Sequence, residues 1–239
     1  MLSGAAWFAL PAQAGRLQLL ALKAAFEPDL GLLLVADAHI GKAVSFRRLG
    51  VPVPAGSTTD ALQRLDALIA ATGARGIVFL GDFLHSVRAH APGTMAALAD
   101  WRERHRALSL TLVRGNHDHH AGDPPPALGM QCVNGPLKIG PWALAHHPQP
   151  VDGAYVLAGH VHPGVVLGGR RQGGRRAAAA PRGFDRLRLP CFHLGADVGV
   201  LPAFGGFTGM HALPRGPADQ VFAVVPGCAP DDLPALRRV

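Results

Sequence analysis

Five places in the chain set down an amide, imidazoles or carboxylates directly after a short apolar run. Leu112-Val113-Arg114-Gly115 opens onto Asn116-His117-Asp118, and Leu32-Leu33-Leu34-Val35-Ala36 ends in Asp37-Ala38-His39. Ile77-Val78-Phe79-Leu80 ends in Gly81-Asp82, Trp142-Ala143-Leu144-Ala145 in His146-His147, and Tyr155-Val156-Leu157-Ala158 in Gly159-His160-Val161-His162. The donors are oxygen and imidazole with no thiolate, a set that suits zinc, iron or manganese and leans toward harder ions as oxygen ligands accumulate. A carboxylate between two such ions can bridge them, because its two oxygens bind two cations at once, and Asp82 is read as that bridge. Asp37 and His39 lie two apart, so on a continuing strand they would point to one face and reach one ion, and His160 and His162 share a face in the same way. His117 beside Asp118 reads as an imidazole whose ring is fixed and whose proton affinity is raised by the carboxylate, as a group that protonates a leaving oxygen requires. Either His146 or His147 could be the ligand in its block.

The elements that must position these groups follow from the same runs. Each has strand length and no polar interruption, as expected of strands buried on both faces, and open α/β sheets place their ligands at the carboxyl ends of such strands. Two further strands are expected at 7–10 and 17–21. A helix over 60–71, capped by Ser57, Thr58 or Thr59, carries an apolar stripe of Ala61, Leu62, Leu65, Leu68 and Ile69. A second helix over 92–105 packs Trp101 in the core and leaves His90 and His105 solvated. A loop over 41–56 brings Lys42, Arg47 and Arg48 beside the donor blocks, where they would hold the flanking phosphates of a polymer. Residues 168–182 carry Arg170, Arg171, Arg175, Arg176 and Arg182 with no acid and are expected to form a flexible basic loop. Strands are expected at 187–194 and 221–225, and a loosely ordered tail over 226–239.

A chain of 239 residues suits a single domain over 1–239, and 49% hydrophobic against 16% charged residues excludes a disordered chain. The 23 Lys+Arg against 16 Asp+Glu leave a net charge of +7, which favours a polyanion over a small neutral substrate. Cys132, Cys191 and Cys228 are odd in number and far apart, so neither a disulfide framework nor a thiolate zinc site is supported, and a reducing cytoplasm is the expected location. Neither a signal peptide nor a run long enough to span a membrane is read, so no membrane partner is expected.

Taken in chain order, Asp-x-His, Gly-Asp, Gly-Asn-His-Asp, a later His and Gly-His-x-His resemble the calcineurin-like metallophosphoesterase superfamily. Within it, Gly41-Lys42-Ala43-Val44-Ser45-Phe46-Arg47-Arg48-Leu49-Gly50-Val51-Pro52-Val53-Pro54 and Leu201-Pro202-Ala203-Phe204-Gly205-Gly206-Phe207-Thr208-Gly209 resemble the ligase-associated DNA-damage-response endonuclease branch. The resemblance implies an α/β fold, a layered β-sandwich flanked by helices (αββα), with the metal site at the carboxyl ends of the strands. It implies two divalent metal ions, manganese first and iron or zinc as alternatives. One would be held by Asp37, His39, Asp82 and His162, the other by Asp82, Asn116, His146 and His160, which selects His146 over His147. His117 and Asp118 take catalytic roles in that scheme, and His85 resembles the position where double-strand-break repair nucleases of the superfamily keep a His near the substrate. Lys42, Arg47 and Arg48 become substrate-binding residues.

The implied activity is hydrolysis of DNA phosphodiester bonds by a manganese-dependent endonuclease of DNA repair, with single-stranded DNA favoured. A DNA ligase, a helicase and an exonuclease-like repair protein are the partners the branch implies. Two rival readings stand beside it. A small-molecule phosphodiesterase or pyrophosphatase would need an apolar lid, and the sequence has no long amphipathic insertion to form one. A metal-free protein-binding scaffold of the same fold would not need competent residue types at the donor positions, yet each of them and His117 carries one.

Overall fold

In the computed structural model, which describes residues 5–10, 15–53, 56–169, 185–227 and 233–239, two β-sheets lie face to face. The first contains β1 (Ala6–Ala9), β2 (Arg16–Leu20), β3 (Ala24–Glu27), β4 (Leu32–Val35), β5 (Gly76–Leu80), β6 (Ser109–Val113) and β7 (Met130–Val133), side by side in chain order. β1 to β4 pair antiparallel, and β4 to β7 pair parallel. Crossovers between parallel strands are where the helices fall: α1 (Lys42–Arg48) and α2 (Ser57–Thr72) between β4 and β5, α3 (Pro92–Arg104) between β5 and β6, and α4 (Asn116–Ala121) after β6.

The second sheet contains β8 (Leu137–Ile139), β9 (Trp142–Leu144), β10 (Tyr155–Ala158), β11 (Gly164–Gly169), β12 (Asp185–Leu194), β13 (Val198–Val200), β14 (Gln220–Val225) and β15 (Ala235–Arg238). Its order is β15-β14-β12-β13-β10-β9-β8, with β11 paired to β12. β9, β10 and β13 are mutually parallel and form its centre. β9 and β10 end at the same edge of the molecule as β4, β5 and β6, since His146 and His160 just beyond them meet Asp37, Asp82 and Asn116.

Alternation along each strand explains why the runs are continuously apolar. Leu33, Val35, Ile77 and Phe79 face the helices, where they meet Leu62, Leu65 and Leu68 of α2 and Leu98 and Trp101 of α3. Leu34, Ala36, Val78 and Leu80 face the other way and meet Trp142, Leu144, Tyr155, Leu157 and Phe192 of the second sheet. A strand with one apolar layer on each side has no position to spare for a polar residue until it leaves both layers. Each fully buried leucine in these layers contributes about 1.5–3 kcal/mol.

Several boundaries differ from the sequence expectation. The segment expected as loop from 41 is helical over Lys42–Arg48, entered through Gly41 at φ 78°. α2 begins at Ser57 after Gly56, which sits in the left-handed region and makes no side-chain cap, so none of Ser57, Thr58 or Thr59 has the capping role. The tail expected to be loose carries β15, because β14 offers a free edge on which Ala235–Arg238 pairs antiparallel. His90 and His105 are not simply solvated: His90 meets the Ala121 carbonyl at 3.0 Å, and His105 packs on Trp101 with its Nε2 2.7 Å from Asp66. The basic loop expected over 168–182 lies outside the described residues from 170 onward, as does Cys228. Cys132 and Cys191 are free thiols, and no helix among the described residues is long and apolar enough to cross a membrane.

Candidate metal centre

At the shared edge of the two sheets the chain turns away from five strands in turn. Asp37 and His39 follow β4, Asp82 follows β5, Asn116 opens α4 behind β6, His146 follows β9, and His160 and His162 follow β10. The backbone there is unusual. Asp37, His39, Asp82, His160 and His162 have φ of 50°, 45°, 51°, 68° and 50°, in the left-handed region that non-glycine residues seldom enter. Each such residue costs about 1 kcal/mol or more and persists only where its surroundings over-determine it. The surroundings do so here: His39 N donates to Asp82 O (2.8 Å), Ile40 N to Phe83 O (2.8 Å), and His160 N to both carboxylate oxygens of Asp37 (3.1 and 2.9 Å). Asp37 and His39 therefore converge through left-handed turns and not through the pleat of a continuing strand.

The seven side chains form two quartets that share Asp82. In the first, His39 Nε2 lies 3.4 Å from His162 Nε2 and 4.0 Å from Asp82 Oδ2, while His162 Nε2 is 3.7 Å from Asp37 Oδ1. In the second, His146 Nε2 lies 2.9 Å from Asn116 Oδ1, 3.1 Å from His160 Nδ1 and 3.5 Å from Asp82 Oδ1. Asp82 thus turns one oxygen to each quartet. Asp37, His39, Asp82 and His146 are all buried. Burial lowers the proton affinity of His39 and His146, and burial together with the neighbouring imidazoles lowers that of His160. Burial raises the Asp82 carboxyl, against the backbone N–H of His117 that it accepts. Space for the quartets depends on glycine: a Cβ on Gly115 would overlap Asp82 Oδ1 and lie 2.6 Å from Asp82 N.

Whether these residues fit divalent cations can be tested on their protons. His146 Nδ1 donates to Leu80 O at 3.0 Å, which fixes the tautomer and leaves Nε2 as an acceptor facing the acceptor oxygen of Asn116. In the first quartet His39 Nδ1 is buried with no partner, and its Nε2 faces another imidazole nitrogen and two carboxylates. Converging lone pairs with too few protons are what a cation resolves. Separations of 2.9–3.5 Å in the second quartet also match neighbouring ligands on one ion at metal distances of about 2.1 Å, and those of 3.4–4.0 Å in the first are only slightly wider. The residues fit.

The groups expected around the ligands are arranged differently. Asp118 does not touch His117. Its oxygens accept from the backbone N–H of Gly115 (2.9 Å), Phe83 (2.9 Å) and Leu84 (3.3 Å), so it ties the turn after β6 to the turn after β5. Helical geometry points consecutive side chains about 100° apart, which is why adjacency in sequence did not give contact. His117 is held by His85 instead: its Nδ1 lies 2.8 Å from the His85 carbonyl, and the two rings stack at 5.1 Å. His117 Nε2 then stands at the rim, 3.9 Å from Asp82 Oδ2. Burial, followed by the charges of Lys42 and His117, lowers His85 to about 4.

Lys42, its Nζ 5.7 Å from the centroid of the Phe46 ring, lies close enough to feel the charges of Asp37 and Asp82, whereas Arg47 and Arg48 sit exposed in the last turn of α1. His147, the alternative to His146, packs its ring 4.3 Å from that of His160 and shares with it and His146 a possible ligand group. A cavity of about 380 Å³ opens beside the second quartet, lined by Arg114, Asn116, His119, Asn134, His146 and His147. Arg114 is gripped there by Asp123 at 2.7 Å through two nitrogens. Sequence reading missed Arg114, although a basic residue one step before Gly115-Asn116 was a visible signal.

No family model matches the chain, and no curated protein matches it. Among solved structures it is similar to the Pseudomonas putida nuclease MPE, with 42% sequence identity and a TM-score of 0.77 over 92% of this chain and 96% of that one.

Proposed function

Since the chain belongs to the calcineurin-like metallophosphoesterases, in their ligase-associated DNA-repair branch, we propose that it hydrolyses DNA phosphodiester bonds as an endonuclease. We assign it two divalent metal ions, manganese foremost, and single-stranded DNA as the favoured substrate. The observation that carries the reading is the pair of quartets sharing a buried Asp82, with the His117 imidazole at their rim. Asp37, His39, Asp82 and His162 would hold one ion, and Asp82, Asn116, His146 and His160 the other. When bound, such a pair supplies Lewis-acid stabilisation of charge at phosphorus and lowers the pKa of water.

The chain's own residues do the rest. His117 donates from Nδ1 to the His85 carbonyl, so in its protonated form it presents Nε2–H to the leaving oxygen and delivers the proton there. The stack on His85 keeps the ring in that attitude. Lys42, at the rim, attracts the phosphate flanking the cleaved bond, and the net charge of +7 draws a polyanion without reading its bases. The test is incubation with circular single-stranded and duplex DNA across a panel of divalent ions. Nicking of the circle with manganese and little without metal is expected. An enzyme that hydrolyses only small diesters, or no ester at all, would overturn the proposal.

A further inference from the structure

The loop after β13, residues 201–211, has no part in the chemistry described so far, yet it is fastened to the metal centre at both ends. Phe204 N donates to Ala36 O at 2.8 Å, and Gly205 N to the backbone carbonyl of Asp37 at 3.0 Å. The carbonyls of the same two residues are each taken by a basic side chain: Arg64 Nη2 reaches Phe204 O at 2.9 Å, and Lys23 Nζ reaches Gly205 O at 3.2 Å. Arg64 also lays its guanidinium 4.1 Å over the Phe204 ring. A Cβ on Gly205 would stand 2.6 Å from Ala38 O, so the approach is as close as a backbone allows. At the far end His211 N donates to His162 O at 3.0 Å, and Gly164 N to His211 O at 2.8 Å.

Phe207 stands midway between these fastenings. It is 48% exposed, and its φ of 56° is one that a bulky residue adopts only under constraint. It lines one hollow of about 140 Å³ together with Lys23 and His162, and another together with His39 and Lys42. The other exposed large aromatic among the described residues, Trp7 in β1, already carries the Arg16 guanidinium 5.7 Å from its ring centroid. A flat apolar ring, indexed to the backbone of two candidate ligands and flanked by a lysine, has the makings of a seat for a planar group whose neighbour is a phosphate.

We infer that Phe207 is a stacking platform for one nucleobase, which seats the nucleotide next to the phosphate presented to the first quartet. The inference rests on the proposed cleavage of DNA strands. Stacking on an aromatic ring is indifferent to base identity, so the platform would position a strand without imposing a sequence.

The experiment is a cycle between side chain and base. Wild-type, Phe207→Ala and Phe207→Trp enzymes are given manganese and a single-stranded octanucleotide, intact or with one abasic residue at each position in turn. Resolving products by length gives kcat/KM for each bond. For the wild type, an abasic residue on one particular side of a bond is expected to slow its cleavage by about tenfold, the order that one stacked base contributes. Phe207→Ala is expected to lose that tenfold on the intact strand and nothing more on the abasic one, and Phe207→Trp to recover it. Additive losses, or no loss in Phe207→Ala, overturn the inference while leaving the nuclease reading intact. A wild type that cuts neither this strand nor circular DNA overturns the reading beneath it.

Discussion

At the scale of single residues, the convergence of the seven candidate ligands was legible because a polar group straight after a doubly buried strand has few other reasons to be there. What each neighbour does was not legible, since Asp118 spends its carboxylate on three backbone amides and His117 leans on a carbonyl and a ring from His85. The two adjacent residues should therefore fail in different ways. His117→Ala is expected to lower kcat by about 10²–10⁴ with metal content and melting temperature unchanged. Asp118→Ala leaves buried amides without their charged acceptor, at a cost of about 3 kcal/mol, or about 6–12 °C in Tm for a chain of this size. Thermal melts beside single-turnover rates separate them. Asp82→Ala should abolish cleavage and reduce bound metal, measured by elemental analysis, because one carboxylate faces both quartets. Retained activity in that variant would refute the shared site.

At the scale of elements, the long periodic helices and the five core strands could be read ahead, and the short pieces could not. α4 is written Asn-His-His-rich, a poor helix former by propensity, and it exists because Asp118 and the turn after β5 hold its first turn. β3 and β15 are four residues each and gain their identity only from the strands beside them. In the second sheet, β12 and the turn before β14 are locked by Asp219, whose Oδ2 accepts from Gly216 N (2.9 Å) and lies 2.7 Å from His193 Nε2. Those bonds, the backbone one first, hold the Asp219 carboxyl below its ordinary value. A depressed folded pKa contributes stability that is present above the unfolded value of about 3.9 and is lost as pH falls through the folded one. Asp219→Asn should accordingly melt below the wild type at pH 7, and the gap should narrow as melts are carried below the unfolded carboxyl value of about 3.9. A gap that stays constant with pH would deny Asp219 this part.

At the scale of the whole molecule, the unbroken apolar runs foretold strands covered on both faces, and it was the family resemblance that implied a second sheet as one of the covers. Leu34, Val78 and Leu80 meet Trp142, Leu144 and Leu157 across that sandwich. The quartets straddle the same junction, so bound cations would brace one sheet against the other. Saturating manganese at a hundredfold excess over its Kd is worth about 2.7 kcal/mol per site and should raise Tm by about 5–10 °C for each site filled, with a chelator reversing the gain. Melts indifferent to both would contradict the centre. Four donors, Asp37, His39, Asp82 and Asn116, belong to the first sheet, and three, His146, His160 and His162, to the second. Neither half of the chain alone therefore offers a full set of ligands. An ion held by both would act as a rivet between the sheets, and its retention would report that the two halves have met.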